Sequence, residues 1–268
     1  MTRRFHFYML VCGLVGLGIA PSLAVASHIP GCTVTVTAQD INGLEKVFEG
    51  CTQSFADNFE AGLVFQENGW HKYQYMGSSS NKVAVTSEKA HLGAVSIKSS
   101  TGSSLHQQKA SSARQLLWFP AGSHFWMSVW VNIVGGTITR DFYFFDLEST
   151  QGDGNPGRRL ALGGPNGDWL WVSSKHAGLN AEQSLFPPPL AFPKNKWVQV
   201  TMHLYISPNS DGLTEVWQDG VKIITKTGQT LPSGLVYDWI ELGTTANLSG
   251  QAQVIYLDEL VISKDPIP

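Results

Sequence analysis

The stretch Trp197–Gly220, WVQVTMHLYISPNSDGLTEVWQDG, constrains the fold more tightly than any other part of the chain. Val198, Val200, Met202, Leu204 and Ile206 alternate with Gln199, Thr201, His203 and Tyr205. A period of two puts apolar side chains on one face of an extended strand and polar ones on the other. Pro208, Asn209, Ser210, Asp211 and Gly212 then break the run with turn-forming residues. Leu213–Trp217 resumes the extended pattern, and Asp219-Gly220 predicts a tight hairpin turn. The stretch reads as an antiparallel hairpin with one buried face, the unit of a β-sandwich.

The same signal recurs along the chain. Phe125, Met127, Val129, Val131 and Ile133 alternate with Trp126, Ser128, Trp130 and Asn132. Asp141–Leu147 is a further strong strand, and Arg159–Leu162 with Trp169–Ser173 flank a Gly/Asn/Asp-rich turn. Ile223–Thr227, Trp239–Gly243 and Val254–Ser263 complete the set. Ser99–Lys109 reads as a polar loop and Leu116–Phe119 as a short apolar piece. Ala177–Asn195, with Pro187, Pro188, Pro189 and Pro193, reads as a long connection without ladder hydrogen bonds. No helical period and no internal repeat is present. Many short strands with regular turns predict an all-β fold, a two-sheet antiparallel sandwich.

Arg3 and Arg4 precede the apolar run Phe5–Ala20, and Ala24-Val25-Ala26 has the small-x-small form of a cleavage site. This pattern predicts an export leader over residues 1–26, hence a secreted, periplasmic or cell-surface protein. No later stretch approaches the roughly 20 apolar residues of a membrane span. Cys12 leaves with the leader, so Cys32 and Cys51 are expected to pair in an exported chain. Closing that loop contributes on the order of 3 kcal/mol. Residues 27–53 then form an extension tied by the disulfide, and residues 54–268 a single β domain. The net charge of −3 shows no basic footprint for nucleic acid. A Gly-x-Ser-x-Gly elbow, a phosphate loop and a dinucleotide fingerprint are all missing. Asn247-Leu248-Ser249 fits an N-glycosylation sequon.

Three motifs carry a resemblance: Asp57-Asn58-Phe59-Glu60-Ala61-Gly62 followed by Trp70; Trp197–Tyr205 followed by Glu215–Gly220; and the closing Ile255–Ser263. Together they resemble the concanavalin A-like lectin/glucanase superfamily, most closely its laminin-G-like and polysaccharide-lyase-like jelly rolls. The resemblance implies two stacked sheets, ligand lying across a concave one, and pairing of the first and last strands. It also implies a structural calcium ion near those strands, for which Asp57, Glu60 and Asp258 supply carboxylates.

Within that frame three functions compete. Sugar binding without chemistry, the favoured expectation, needs aromatic platforms and polar neighbours. Trp126, Trp130 and Asn132 on one strand, and Trp169, Trp171 and Asp146 elsewhere, are the candidates. The alternative is a lyase that cleaves a uronic-acid polysaccharide by β-elimination. Such an enzyme needs a base, a neutraliser for the substrate carboxylate and a proton donor. His203, Tyr205, Tyr143 and Arg159 are the candidates, with Arg158 beside them. A non-catalytic protein-interaction module is the third reading. Retaining hydrolysis is disfavoured: Asp146 and Glu148 share a strand face, but the Glu-x-Asp-x-x-Glu strand of the glucanases is missing.

Overall fold

The computed structural model describes residues 35–39, 45–49, 52–62, 70–103, 108–135, 142–175 and 190–268. The expected leader, Cys32 and Cys51 lie outside the described residues. Strands are numbered in chain order. One sheet has eight strands. Its main path runs β14 (Val221–Thr227), β13 (Leu213–Gln218), β12 (Trp197–Tyr205), β8 (His124–Val134), β16 (Gln253–Ser263), β6 (Ser96–Thr101) and β5 (Lys82–Thr86). The short β3 (Phe55–Asp57) also pairs with β16, so early and late strands do join. The second sheet has six strands: β11 (Trp169–Ser174), β10 (Gly157–Gly163), β9 (Phe142–Glu148), β15 (Val236–Asn247), β7 (Gln108–Pro120) and β4 (Trp70–Met76). β1 (Thr35–Gln39) and β2 (Glu45–Glu49) make a separate antiparallel pair.

The two sheets share one core. Val129, Val131, Val200 and Met202 from the larger sheet meet Phe145, Leu147, Leu160, Ile240 and Leu242 from the smaller one, all fully buried. Each such side chain contributes about 1.5–3 kcal/mol by leaving water. This is the two-sheet β-sandwich that the alternating strands predict. The hairpin turn after β13 also forms as predicted: Asp219 and Gly220 both have positive φ, 48° and 75°. That pair of angles matches the twist of the flanking strands.

The polar segment Ser99–Lys109 differs from expectation, because it contains the end of β6 and the start of β7. Gln108–Gln115 carries almost no apolar alternation, so nothing local marks it as a strand. Its neighbours impose the extended form: β15 pairs with it on one side and β4 on the other. Leu116–Phe119 is the apolar end of the same long strand.

The acidic residues near the paired termini act as anchors for backbone. Asp57 accepts hydrogen bonds from the Phe59 N–H at 2.7 Å and from the indole N–H of fully buried Trp70 at 2.7 Å. Asp258 accepts from the N–H groups of His91 at 2.8 Å and Glu259 at 2.9 Å. Glu60 accepts from Ala94 at 2.8 Å and Val95 at 3.0 Å, so Glu60 and Asp258 hold the same loop. These oxygens already serve N–H donors, and among the described residues no three His, Cys, Asp or Glu side chains gather as a metal cluster. The residues present therefore do not fit the calcium cage expected from the resemblance. Asn247 of the sequon is 1% exposed and donates its amide to Thr101 Oγ1 and the Gln251 carbonyl. Its amide nitrogen is thus out of reach of a glycan in the folded chain.

Asp57→Ala removes the acceptor for a buried indole and for a turn N–H. Hydrogen bonds to a charged group contribute about 1.5–3 kcal/mol each. Unfolding by urea should show a loss of about 3 kcal/mol, and a loss below about 1 kcal/mol would contradict the anchoring role.

Candidate active site on the six-stranded sheet

Phe145 and Leu147 of β9, Leu160 and Leu162 of β10, and Ile240 and Leu242 of β15 point into the core. The intervening residues therefore face outward. Backbone register places Arg159 opposite Asp146, Asp146 opposite Glu241, and Arg159 opposite Ser173. Four residues from β11, β10, β9 and β15 thus form one polar row across the sheet. Neighbouring strands lie about 4.8 Å apart, so the row extends about 14 Å. Glu148 flanks it, opposite Gly157 and Trp239. A Cβ on Gly157 would sit 2.3 Å from the Leu147 carbonyl and 3.0 Å from Glu148 Cγ, so only glycine leaves Glu148 its place. On the other flank, Tyr143, Ala161, Trp171 and Ala246 form a small apolar cluster distinct from the main core. Register shifts on both sides of β9 bring Tyr143 to this face.

The row is buried: Asp146 is 4%, Glu241 2% and Glu148 0% exposed. Each carboxylate accepts a hydrogen bond: from Thr245 Oγ1 to Asp146 at 2.7 Å, from Gln74 Nε2 to Glu241 at 2.5 Å, and from Lys175 Nζ to Glu148 at 2.5 Å. Burial, and then the charges of Glu148 and Glu241, push the Asp146 carboxyl well above the ordinary range. The nearby Arg159 and the Thr245 hydroxyl pull it down without cancelling that rise. Arg159 lies over the Tyr143 ring, 4.0 Å from its centre, and donates from Nη2 to Ser173 Oγ at 3.2 Å. Among the described residues, the buried donors Arg159 Nε and Trp171 Nε1 on this face have no acceptor. Native proteins rarely leave such groups unpaired, and where they do a ligand or ion is a common reason. The Trp171 and Tyr143 rings are 6.1 Å apart, so both orphan donors border the same tyrosine.

The residues expected to transfer protons do not assemble together. Tyr143 and Arg159 lie on the outer face of the six-stranded sheet. His203 and Tyr205 lie on the outer face of the eight-stranded sheet, and the shared core separates the pairs. Arg158 points away from Arg159, is fully buried and donates from Nη2 to the Gln229 carbonyl at 2.5 Å. The aromatic candidates divide in the same way. Trp169 and Trp171 accompany Asp146 on the smaller sheet, with Trp169 opposite Gly163. Trp126, Trp130 and Asn132 belong to the larger one. There Trp126 stacks on His203 at 4.0 Å and Trp130 on His91 at 3.7 Å, so imidazole rings occupy faces that a sugar would need. Asn132 is 3% exposed.

Glu241, Thr245, Gln74, Ser173 and Lys175 were not among the expected site residues. Alternation in Trp239-Ile240-Glu241-Leu242 does mark Glu241 as outward-facing. Nothing local places it beside Asp146, almost a hundred positions earlier.

Residues 68–261 match the model of a family described as polysaccharide lyase. Three solved structures share the architecture. An endo-beta-1,4-glucuronan lyase from the fungus Trichoderma reesei aligns with TM-score 0.63 at 13% identity, covering 79% of this chain and 95% of that one. A cellulose-induced protein gives 0.57 at 16%, covering 80% and 98%. An alginate lyase gives 0.56 at 12%, covering 82% and 100%. Identities this low establish a common fold alone. A search of curated proteins returns no match.

The raised Asp146 carboxyl makes stability depend on pH. Its protonated form contributes stability that is full below the ordinary carboxylate value of about 3.9 and is lost as pH rises through its raised folded-state value. Asp146→Asn keeps the acceptor for Thr245 and never ionises. Urea midpoints should therefore move in the variant's favour as pH climbs from about 4 toward neutrality. A wild-type-to-variant difference that stays constant over that range would show that Asp146 titrates normally.

Proposed function

The chain belongs to the polysaccharide lyase family, whose model spans its residues 68–261, and from that premise we propose that it cleaves a uronic-acid polysaccharide by β-elimination on the outer face of the six-stranded sheet. Glucuronan and alginate, named for two of the structural relatives, are both polymers of uronates and support a substrate of that class. The observation that carries this reading is a pair of buried donors without an acceptor among the described residues, Arg159 Nε and Trp171 Nε1, both beside Tyr143. A uronate carboxylate supplies the missing acceptors. Pairing with the guanidinium also withdraws charge from the carboxylate, which acidifies the neighbouring C5–H.

Tyr143, acting as its phenolate, then takes the C5 proton and becomes the phenol. The C5–H electron pair becomes the C4=C5 double bond, the C4–O4 bond breaks, and O4 needs a proton. Asp146, whose carboxyl burial and then its two acidic neighbours push well above the ordinary range, donates it. The charges of Glu148 and Glu241 add to that rise, and the hydrogen bonds from Gln74 and Lys175 hold those two side chains in place. The products are a new reducing end and an unsaturated uronate. Export through the leader at 1–26 and a Cys32–Cys51 bridge belong to the same proposal, since the substrate is an extracellular polymer.

Glucuronan and alginate digests followed by the ultraviolet absorbance of the conjugated double bond test the reading directly. Tyr143→Phe should lower kcat by about 10²–10⁴-fold. Arg159→Ala should raise KM as well as lower kcat, because it both binds and activates. Tyr205→Phe, on the opposite face, should leave the rate unchanged. Retention on the glycan with no new chromophore would restore the binding-only reading that the sequence alone favours.

A further inference from the structure

Arg158 points away from the lyase face, and the lyase reading does not use it. We propose that its guanidinium is a binding site for a small inorganic anion of the halide class. Arg158 lies at the start of β10, opposite Leu147 of β9 and Ser174 of β11. The whole residue is buried, 0% exposed. Its Nη2 donates to the Gln229 carbonyl at 2.5 Å. Nε and Nη1 have no acceptor among the described residues.

What the site lacks is a charge as well as acceptors. An ion taken out of water without a counter-charge is strongly destabilising. Buried carboxylates, lysines and histidines relieve that by changing protonation, but a guanidinium keeps its charge inside a protein. Gln229 and Tyr237, the polar groups beside Arg158, are neutral. Gln229 offers a carbonyl dipole. Tyr237 donates its hydroxyl to the Thr230 carbonyl at 2.5 Å, and burial pushes that phenol above its usual pKa. The nearby Arg158 pulls it down without cancelling the rise, so it keeps its proton. Asp146 and Glu148 of the adjacent strand face outward, where they accept from Thr245 and Lys175. A water molecule meets N–H groups but leaves the charge; an anion meets both.

The guanidinium fork has two edges, one shared by Nε–H and an Nη2–H, the other by Nη1–H and the second Nη2–H. Gln229 takes one Nη2–H, so one edge keeps a parallel pair of N–H bonds for the anion. Full burial sets the size of the ligand, since a carboxylate carried on a polymer has no way in and a single-atom ion fits a closed site. The position gives the ion a structural role. Gln229 and Thr230 lie on the crossing from β14 of the larger sheet to β15 of the smaller one. Thr230 Oγ1 accepts from the Ser207 N–H at 2.8 Å and donates to the Tyr205 carbonyl at 2.8 Å, so the crossing is tied to the end of β12. Arg158 ties the same crossing to β10, and its anion stabilises the point where the two sheets join.

Thermal unfolding in mixtures of sodium chloride and sodium gluconate at fixed ionic strength tests the site. Once chloride fills it, each tenfold rise in chloride should raise the wild-type Tm by about 3–5 °C. Arg158→Met puts an apolar chain in place of the buried ion and should lose that dependence. Bromide diffused into wild-type crystals should give an anomalous peak beside the Arg158 guanidinium, a measurement that does not require the variant to fold. The same chloride dependence in wild type and variant would overturn the proposal. So would a bromide map with no peak at Arg158, the result expected if water alone meets the free N–H groups.

Discussion

The apolar slab between the two sheets sets the terms for everything outside it. Strand side chains alternate, so each residue committed to the slab commits its neighbours to the surface. Val200 and Met202 are fully buried in it, and the residue after them, His203, must face the opposite way. Phe145 and Leu147 do the same for Asp146 and Glu148. The two outer faces are therefore separate chemical environments, back to back, with the shared core between them.

The six-stranded sheet uses its outer face for charge. Three buried carboxylates lie within one row and its flank, accompanied by Arg159 and Lys175. Burying an ion costs several kcal/mol unless partners offset it, and a buried donor left unpaired costs about 1–3 kcal/mol more. Such an arrangement is a poor device for stability. It makes physical sense where a ligand brings the missing acceptors, and a carboxylated sugar bears both the charge and the oxygens that Arg159 and Trp171 lack. The register shifts beside β9 turn Tyr143 out beneath the Arg159 guanidinium.

The eight-stranded sheet uses its outer face for rings. His91 covers Trp130, His203 covers Trp126, and Trp217 lies 5.8 Å from Trp126. Each stacked imidazole covers part of its indole while its ring edge is left for polar contacts. His203 uses both of its nitrogens, toward Glu215 and His124. Burial holds the His203 pKa below its usual value, although Glu215 pulls it upward, so the ring stays neutral and available as a hydrogen-bond acceptor.

Period-two alternation is a local property of the backbone, and the sequence alone was enough to predict most of the strands, the sandwich and the outward direction of His203. It also marked Tyr143 and Arg159 as chemically interesting. It misread Gln108–Gln115, whose extended form comes from the strands on either side. It could not say which outward residues share a sheet, because strand order depends on how the whole chain packs its apolar faces. Only the tertiary structure set β15 against β9, bringing Glu241 beside Asp146, and put His203 on the far side of the core from Tyr143. Those pairings join residues far apart in the chain through backbone hydrogen bonds, which carry no signature in the side chains they bring together.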